Sequence, residues 1–295
     1  MTQFKDAEFD SLLPPLVLDR RGFLASAAAA GFTLASGHAI AQTAISTPAA
    51  GLLAGPVDIP VGSETLRAYR AQPEGKTGLA TILVISEIFG VHAYIQDVCR
   101  RLAKLGYQAI APDLFARQGD ASTYTEIPKL IAEIIDRVPD AQVMGDLDAT
   151  VAWASKQGGD DKRLAITGFC WGGRITWLYA AHNPQVKAGV AWYGQLRGKT
   201  TTTKPTFPID VVNTLNALVL GNYGGKDAGI SVADVQAMQA ALKAGSAAAQ
   251  ASHIELYPEA PHAFHADYRP SYREADARAA WAALQKWLAQ YGVAP

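Results

Sequence analysis

The sequence predicts an α/β fold, a doubly wound and mostly parallel sheet with helices on both faces. Three observations lead there. Strand-like and helix-like segments alternate from about residue 57 to the C-terminus. Within that alternation, Ala80-Thr81-Ile82-Leu83-Val84-Ile85-Ser86 is a nearly unbroken apolar run, as expected of a strand covered on both faces. Finally, Leu164-Ala165-Ile166-Thr167 passes through Gly168-Phe169-Cys170-Trp171-Gly172-Gly173 into Ile175, Leu178 and Tyr179 at helical spacing, a sharp strand-to-helix turn.

The elements follow in order. Residues 1–41 stand apart from the fold: Arg20-Arg21 precede a short Ala-rich run that closes on Ala39-Ile40-Ala41. Paired arginines, a weakly apolar segment and an Ala-x-Ala triplet make a twin-arginine export signal. The run is too short for a membrane span, which needs roughly 20 apolar residues. The expected location is periplasmic or secreted, with the translocation machinery as a transient partner and no stable membrane association after cleavage. Residues 42–55, rich in Thr, Ala and Gly, read as a flexible tail, and one domain is expected over 56–295.

Within that domain, Val57, Ile59 and Val61 alternate, Gly62-Ser63 turns, and 66–69 returns as a hairpin. After the 80–86 strand, Ile95, Val98, Cys99 and Leu102 form one helical stripe closed by Gly106. Strands are expected at 107–111, 163–167, 186–192, 217–221 and 252–257. Helices are expected at 126–137, 141–156, 231–243 and 272–291. The irregular segment 196–215 reads as a lid or rim over the site.

Composition excludes some functions. Over 295 residues the net charge is −1, with 49% hydrophobic and 18% charged residues. Such a chain has ample core and no general attraction to nucleic acid or anionic membrane. Function has to come from a local site.

The Gly168-x-Cys170-x-Gly172 turn is a nucleophile elbow with a thiol at its tip. A helix N-terminus favours thiolate, and the Trp171 amide is placed to receive an oxyanion. A cysteine nucleophile needs a base and a group that orients it. After such an elbow the order is nucleophile, acid, histidine. His262, in the loop after the last strand, lies at the edge where parallel strands end; His182 closes a helix and His253 opens a strand. His265 shares the His262 loop and stays an alternative base. Asp227, one strand earlier at the same edge, is the favoured acid, with Glu259 as its rival. Glu87 ends the long buried strand over the same crevice, and Ile88 beside it would give the second oxyanion amide. Phe89, Tyr94 and Arg269 are candidates for contact with substrate.

Together, Glu87-Ile88-Phe89-Gly90-Val91, Pro112-Asp113-Leu114-Phe115-Ala116-Arg117, the cysteine elbow, Gly224-Gly225-Lys226-Asp227 and Glu259-Ala260-Pro261-His262-Ala263-Phe264 resemble the dienelactone hydrolase (carboxymethylenebutenolidase) family of the α/β-hydrolase fold. That resemblance implies a Cys170, Asp227, His262 triad and hydrolysis of small esters or lactones. It also implies that Glu87 contacts the thiol at rest and takes its proton as substrate binds. One departure concerns substrate: members acting on dienelactone hold its carboxylate with two arginines, one of them four residues past the histidine. Here that position is Ala266 and the other arginine has no match, so little preference for anionic substrates is expected unless Arg269 substitutes.

Cys99 and Cys170 are the two cysteines, and pairing them would consume the nucleophile, so both are expected reduced. No cofactor or metal is implied. Two other readings compete: an exported binding protein on the same fold, and a glutamine amidotransferase, which would need an acid two residues after the histidine, where Phe264 stands.

Overall fold

The computed structural model describes residues 44–295; the expected export segment lies outside them. Its eight strands form one sheet: β1 Leu52–Val61, β2 Glu64–Pro73, β3 Leu79–Ile85, β4 Gln108–Pro112, β5 Gly159–Phe169, β6 Val186–Trp192, β7 Leu218–Gly224 and β8 His253–Tyr257. The sheet order is β1-β2-β4-β3-β5-β6-β7-β8. Only the β1–β2 and β2–β4 pairs are antiparallel, so the doubly wound, mostly parallel α/β reading holds. The helices are α1 Ala93–Lys104, α2 Ile127–Glu133, α3 Asp140–Lys156, α4 Trp171–His182, α5 Val232–Ala244, α6 Ala247–Ala251 and α7 Glu274–Gln290.

The apolar run of β3 is the central strand its composition predicts. Ile82, Leu83, Val84 and Ile85 are fully buried, each removal from water being worth about 1.5–3 kcal/mol. On α1, Ile95, Val98, Cys99 and Leu102 face this core with no exposure. No helix among the described residues is long and apolar enough to cross a membrane.

Several boundaries differ from expectation for physical reasons. β5 starts at Gly159, four residues early, because its polar opening lies outside the core and carries no hydrophobic period. The helix expected at 126–137 breaks at Ile134, where φ is −119° and ψ −67°, and ends in a 3₁₀ turn.

The tail expected at 42–55 is fastened from its first described residues. Thr47 N–H donates to Asp97 Oδ1 at 2.6 Å, Ile45 N–H to Asp267 Oδ1 at 3.3 Å, and Arg100 Nε to the Thr47 carbonyl at 2.8 Å. Asp97 and Asp267 are buried carboxylates, and such groups need donors; strand β1 then begins inside the expected tail.

The 196–215 segment is also pinned. Arg174 on α4 makes a two-pronged bond to Asp140 at 2.7 and 2.6 Å and donates to the Thr206 carbonyl, while Asp140 N–H donates to the Thr203 carbonyl at 2.8 Å. It is a fixed rim.

Candidate active site

The strands β3, β5, β6, β7 and β8 run parallel, so the loops leaving their C-terminal ends gather at one edge. Every candidate residue comes from one of those loops or from the start of the helix that follows.

Cys170 occupies the tip between β5 and α4 with φ 53° and ψ −116°, a conformation a non-glycine residue holds only when its surroundings enforce it. Two glycines show the enforcement. A Cβ on Gly172 would lie 2.4 Å from the Ile85 carbonyl oxygen, and one on Gly173 would lie 2.5 Å from that of Trp192. The helix therefore starts in backbone contact with the ends of β3 and β6. Cys170 N–H donates to the Trp192 carbonyl at 2.9 Å, and the side chain is fully buried. Trp171 opens α4, so its amide has no carbonyl four residues back. Ile88 is buried just past the end of β3.

His262 and Asp227 meet from adjacent strand ends. His262 Nδ1 lies 2.7 Å from Asp227 Oδ2, and both side chains are 1% exposed. Asp227 Oδ1 accepts the Gly229 and Ile230 amides at 2.8 and 3.0 Å. Burial alone would lower the His262 pKa, but the Asp227 charge, then Cys170 as a charge and a proton-sharing neighbour, carry it well above the usual imidazole value. Nε2 makes no hydrogen bond of standard geometry, so the sulfur contact is a loose one, common in unliganded sites. Glu259, the rival acid, is 83% exposed and faces Lys226 at 4.0 Å.

The alternative base, His265, points elsewhere. Its Nδ1 shares a 2.6 Å hydrogen bond with the Tyr94 hydroxyl, and its ring stacks on Phe169 and Trp281. Burial, assisted by Arg101, lowers its pKa to about 3 and keeps it neutral. Tyr94, expected at the substrate, is buried with its hydroxyl committed to His265, so only its ring remains for contact. Phe264 lies among Trp192, Tyr193 and Tyr257, leaving no acid where the amidotransferase reading needs one.

Glu87 is 2% exposed, and its Oε2 lies 3.0 Å from His92 Nε2. Sequence reasoning missed His92 because it searched for histidines only after Cys170. It also missed Tyr193, the residue just past β6, which the strand-edge rule would have found. Tyr193 has φ 38°, and its ring edge meets His262 at 5.1 Å. Burial, then Glu87, Tyr268 and Cys170, hold the Tyr193 hydroxyl well above the usual phenol range and therefore protonated.

Arg269 is nearly buried, with its guanidinium over Phe89 at 5.5 Å and Tyr268 at 5.7 Å. Ala266 is fully buried. Arg117, the cation of the Pro112–Arg117 motif, pairs with Glu64 and, at 2.6 Å, with Asp146. Cys99 is buried on α1, and burial raises its thiol so far that it stays neutral; neither Cys99 nor Cys170 is in a disulfide. Among the described residues no group of His, Cys, Asp and Glu is arranged to hold a metal.

Comparison with known proteins places these features in a family context. The profile of the dienelactone hydrolase family matches residues 66–292. A Methylorubrum extorquens protein provisionally named a carboxymethylenebutenolidase is 56% identical over 295 residues, all of both chains. A Salmonella typhimurium protein of the same provisional name is 52% identical over 254 residues, 86% of this chain and 93% of the other. A crystal structure of a provisionally named dienelactone hydrolase from Klebsiella pneumoniae superposes with TM-score 0.79 at 53% identity, covering 81% of this chain and 99% of that one.

Proposed function

Because this chain belongs to the dienelactone hydrolase family, a family of hydrolases acting on esters or lactones, we propose that it cleaves small carboxylic esters or lactones through Cys170, His262 and Asp227. The observation that carries the reading is the buried line from Asp227 through His262 to Cys170 at the strand ends. A buried aspartate fixes the imidazole tautomer and stabilises the imidazolium from which His262 protonates the leaving oxygen.

The reaction has two steps. The Cys170 thiolate attacks the carbonyl, and the Trp171 and Ile88 amides receive the developing oxyanion. His262 protonates the leaving oxygen, opening a lactone or releasing an alcohol. Water, deprotonated by His262, then cleaves the thioester. Glu87, buried beside the same crevice, takes the thiol proton as substrate enters. The leader-like segment at 1–41 makes this a periplasmic or secreted enzyme; the Methylorubrum extorquens relative aligns over the whole chain, that segment included.

Hydrolysis of p-nitrophenyl acetate by wild type and Cys170→Ala tests the reading. Turnover should fall at least about a thousandfold, the scale of losing a triad member, while thermal stability stays close to wild type. A variant keeping a tenth of the rate overturns Cys170 as the nucleophile, and a wild type without turnover would leave a binding protein as the better reading.

A further inference from the structure

We infer that His92 is a positioning residue for Glu87, anchoring one carboxylate oxygen so that the other is the one that takes the Cys170 proton. The inference rests on the role given to Glu87 above. It begins from a local anomaly. His92 is the N-cap of α1, yet its side chain makes no capping bond. That position favours Ser, Thr, Asp or Asn. A residue that breaks a local rule without local gain points to a tertiary purpose. The ring turns instead to Glu87, Nε2 standing 3.0 Å from Oε2, with side-chain exposures of 7% and 2%. Because a carboxylate accepts, Nε2 carries the hydrogen.

The ring is fixed on several sides. It stacks on Tyr94 at 6.0 Å and meets Tyr268 and Phe89 edge-on at 5.3 and 6.4 Å. Glu87 is therefore held by a group that cannot swing. Its other oxygen, Oε1, is buried with no hydrogen-bond partner. The contrast with Asp227 is direct: there, one oxygen holds a histidine and the other is satisfied by two amides. An unsatisfied buried carboxylate oxygen is costly, and its persistence calls for a use. Glu87 follows the end of β3, and Gly172, two residues past Cys170, packs against the Ile85 and Ser86 carbonyls at that same end, so the carboxylate and the thiol leave neighbouring strand ends.

The transfer balances simply. The Cys170 S–H bond breaks, an O–H bond forms at Glu87 Oε1, and the electron pair stays on sulfur as thiolate. Oε2 still accepts from His92 in the protonated acid, so the proton is confined to the oxygen that received it. When the thiolate is regenerated after thioester hydrolysis, the proton returns by the same path.

The test uses the full chain, p-nitrophenyl acetate, and the variants His92→Leu, His92→Gln, Glu87→Gln and His92→Leu/Glu87→Gln. Leucine removes the donor, whereas the glutamine amide can restore it. His92→Leu should lower kcat at least about tenfold, a part of the roughly hundredfold or more that a whole proton-transfer group contributes, with KM within about twofold. His92→Gln should recover to within about threefold of wild type. The double variant should lose no more than Glu87→Gln alone, since coupled residues are non-additive. The rate of Cys170 alkylation by iodoacetamide, read by peptide mapping against Cys99, should shift in His92→Leu and return in His92→Gln. Additive losses, a glutamine variant no better than leucine, or full kcat in His92→Leu overturns the inference. Should Glu87→Gln match wild type while Cys170→Ala is inactive, the role of Glu87 falls and this inference with it, though the triad survives. Activity in Cys170→Ala instead sinks the triad reading itself.

Discussion

Asp227 and His262 stand 2.7 Å apart at the ends of neighbouring strands, and the aspartate is tied to its own loop by two amides on its other oxygen. The histidine is thus oriented by a group that cannot itself turn. Replacing Asp227 with Asn keeps the shape but removes the charge that fixes the tautomer, and turnover should fall about a thousandfold or more. Glu259→Gln, at a solvated side chain, should stay within about tenfold. Steady-state kinetics on both variants decides the acid; the reverse pattern assigns the role to Glu259.

Substrate charge is the second expectation. Ala266 removes one cation expected of enzymes acting on dienelactone, but the structure sets the Arg269 guanidinium against Phe89, beside Ile88. A charge-assisted contact is worth about 1.5–3 kcal/mol, or roughly ten- to a hundredfold in kcat/KM. A carboxylated lactone should therefore be preferred over its methyl ester by about that factor, and Arg269→Ala should erase the preference. Equal kcat/KM for acid and ester in wild type would mean that Ala266 has left the site without a working clamp.

The third concerns acid stability. His265 is buried neutral with a pKa lowered to about 3, against about 6.5 in an unfolded chain. Between those values the unfolded state binds the extra proton, so stability is intact above about pH 6.5 and declines as pH falls toward 3. The slope from this one group is at most about 1.4 kcal/mol per pH unit. His265→Gln, whose amide can still bond Tyr94, should show a shallower loss between pH 6.5 and 4.5 in urea titrations. His262 acts in the opposite sense: its raised pKa adds stability below about pH 6.5 that is lost as pH climbs through the folded value. Identical slopes for wild type and His265→Gln would refute the buried neutral ring.

Export gives the fourth. Changing Arg20 and Arg21 to Lys should leave the protein in the cytoplasm with an uncut N-terminus, while wild type should reach the periplasm and begin at or near Gln42. Cell fractionation with N-terminal sequencing reads this out. A double variant processed like wild type would point to a different route.

What the sequence makes legible divides along physical lines. The elbow can be read because its steric demand falls on glycines at fixed offsets from Cys170. Asp227 and His262 can be read because parallel strands bring their C-terminal loops to one edge, whatever lies between. The long apolar run of β3 announces its burial on both faces. The rest depends on contacts between distant residues. The choice between His262 and His265, three residues apart in one loop, rests on which ring meets Asp227 and which meets Tyr94. His92 looks like an indifferent loop residue until Glu87 is seen beside it. Residues 44–51 have the composition of a tail, and only Asp97 and Asp267, both far along the chain, reveal that they are held.

The glycines that seat α4 against β3 and β6 have a consequence for how this enzyme can evolve. The contacts at Gly172 and Gly173 are with carbonyl oxygens of Ile85 and Trp192, atoms every amino acid carries, so no change in the facing side chains can make room for a larger residue. Adaptation to new substrates is then channelled away from the elbow into the walls around it, at positions such as Phe89, Tyr193 and Arg269. Descendants of this chain should drift freely in what they accept while the framework that presents Cys170 stays frozen, with each seat glycine a dead end for single substitutions.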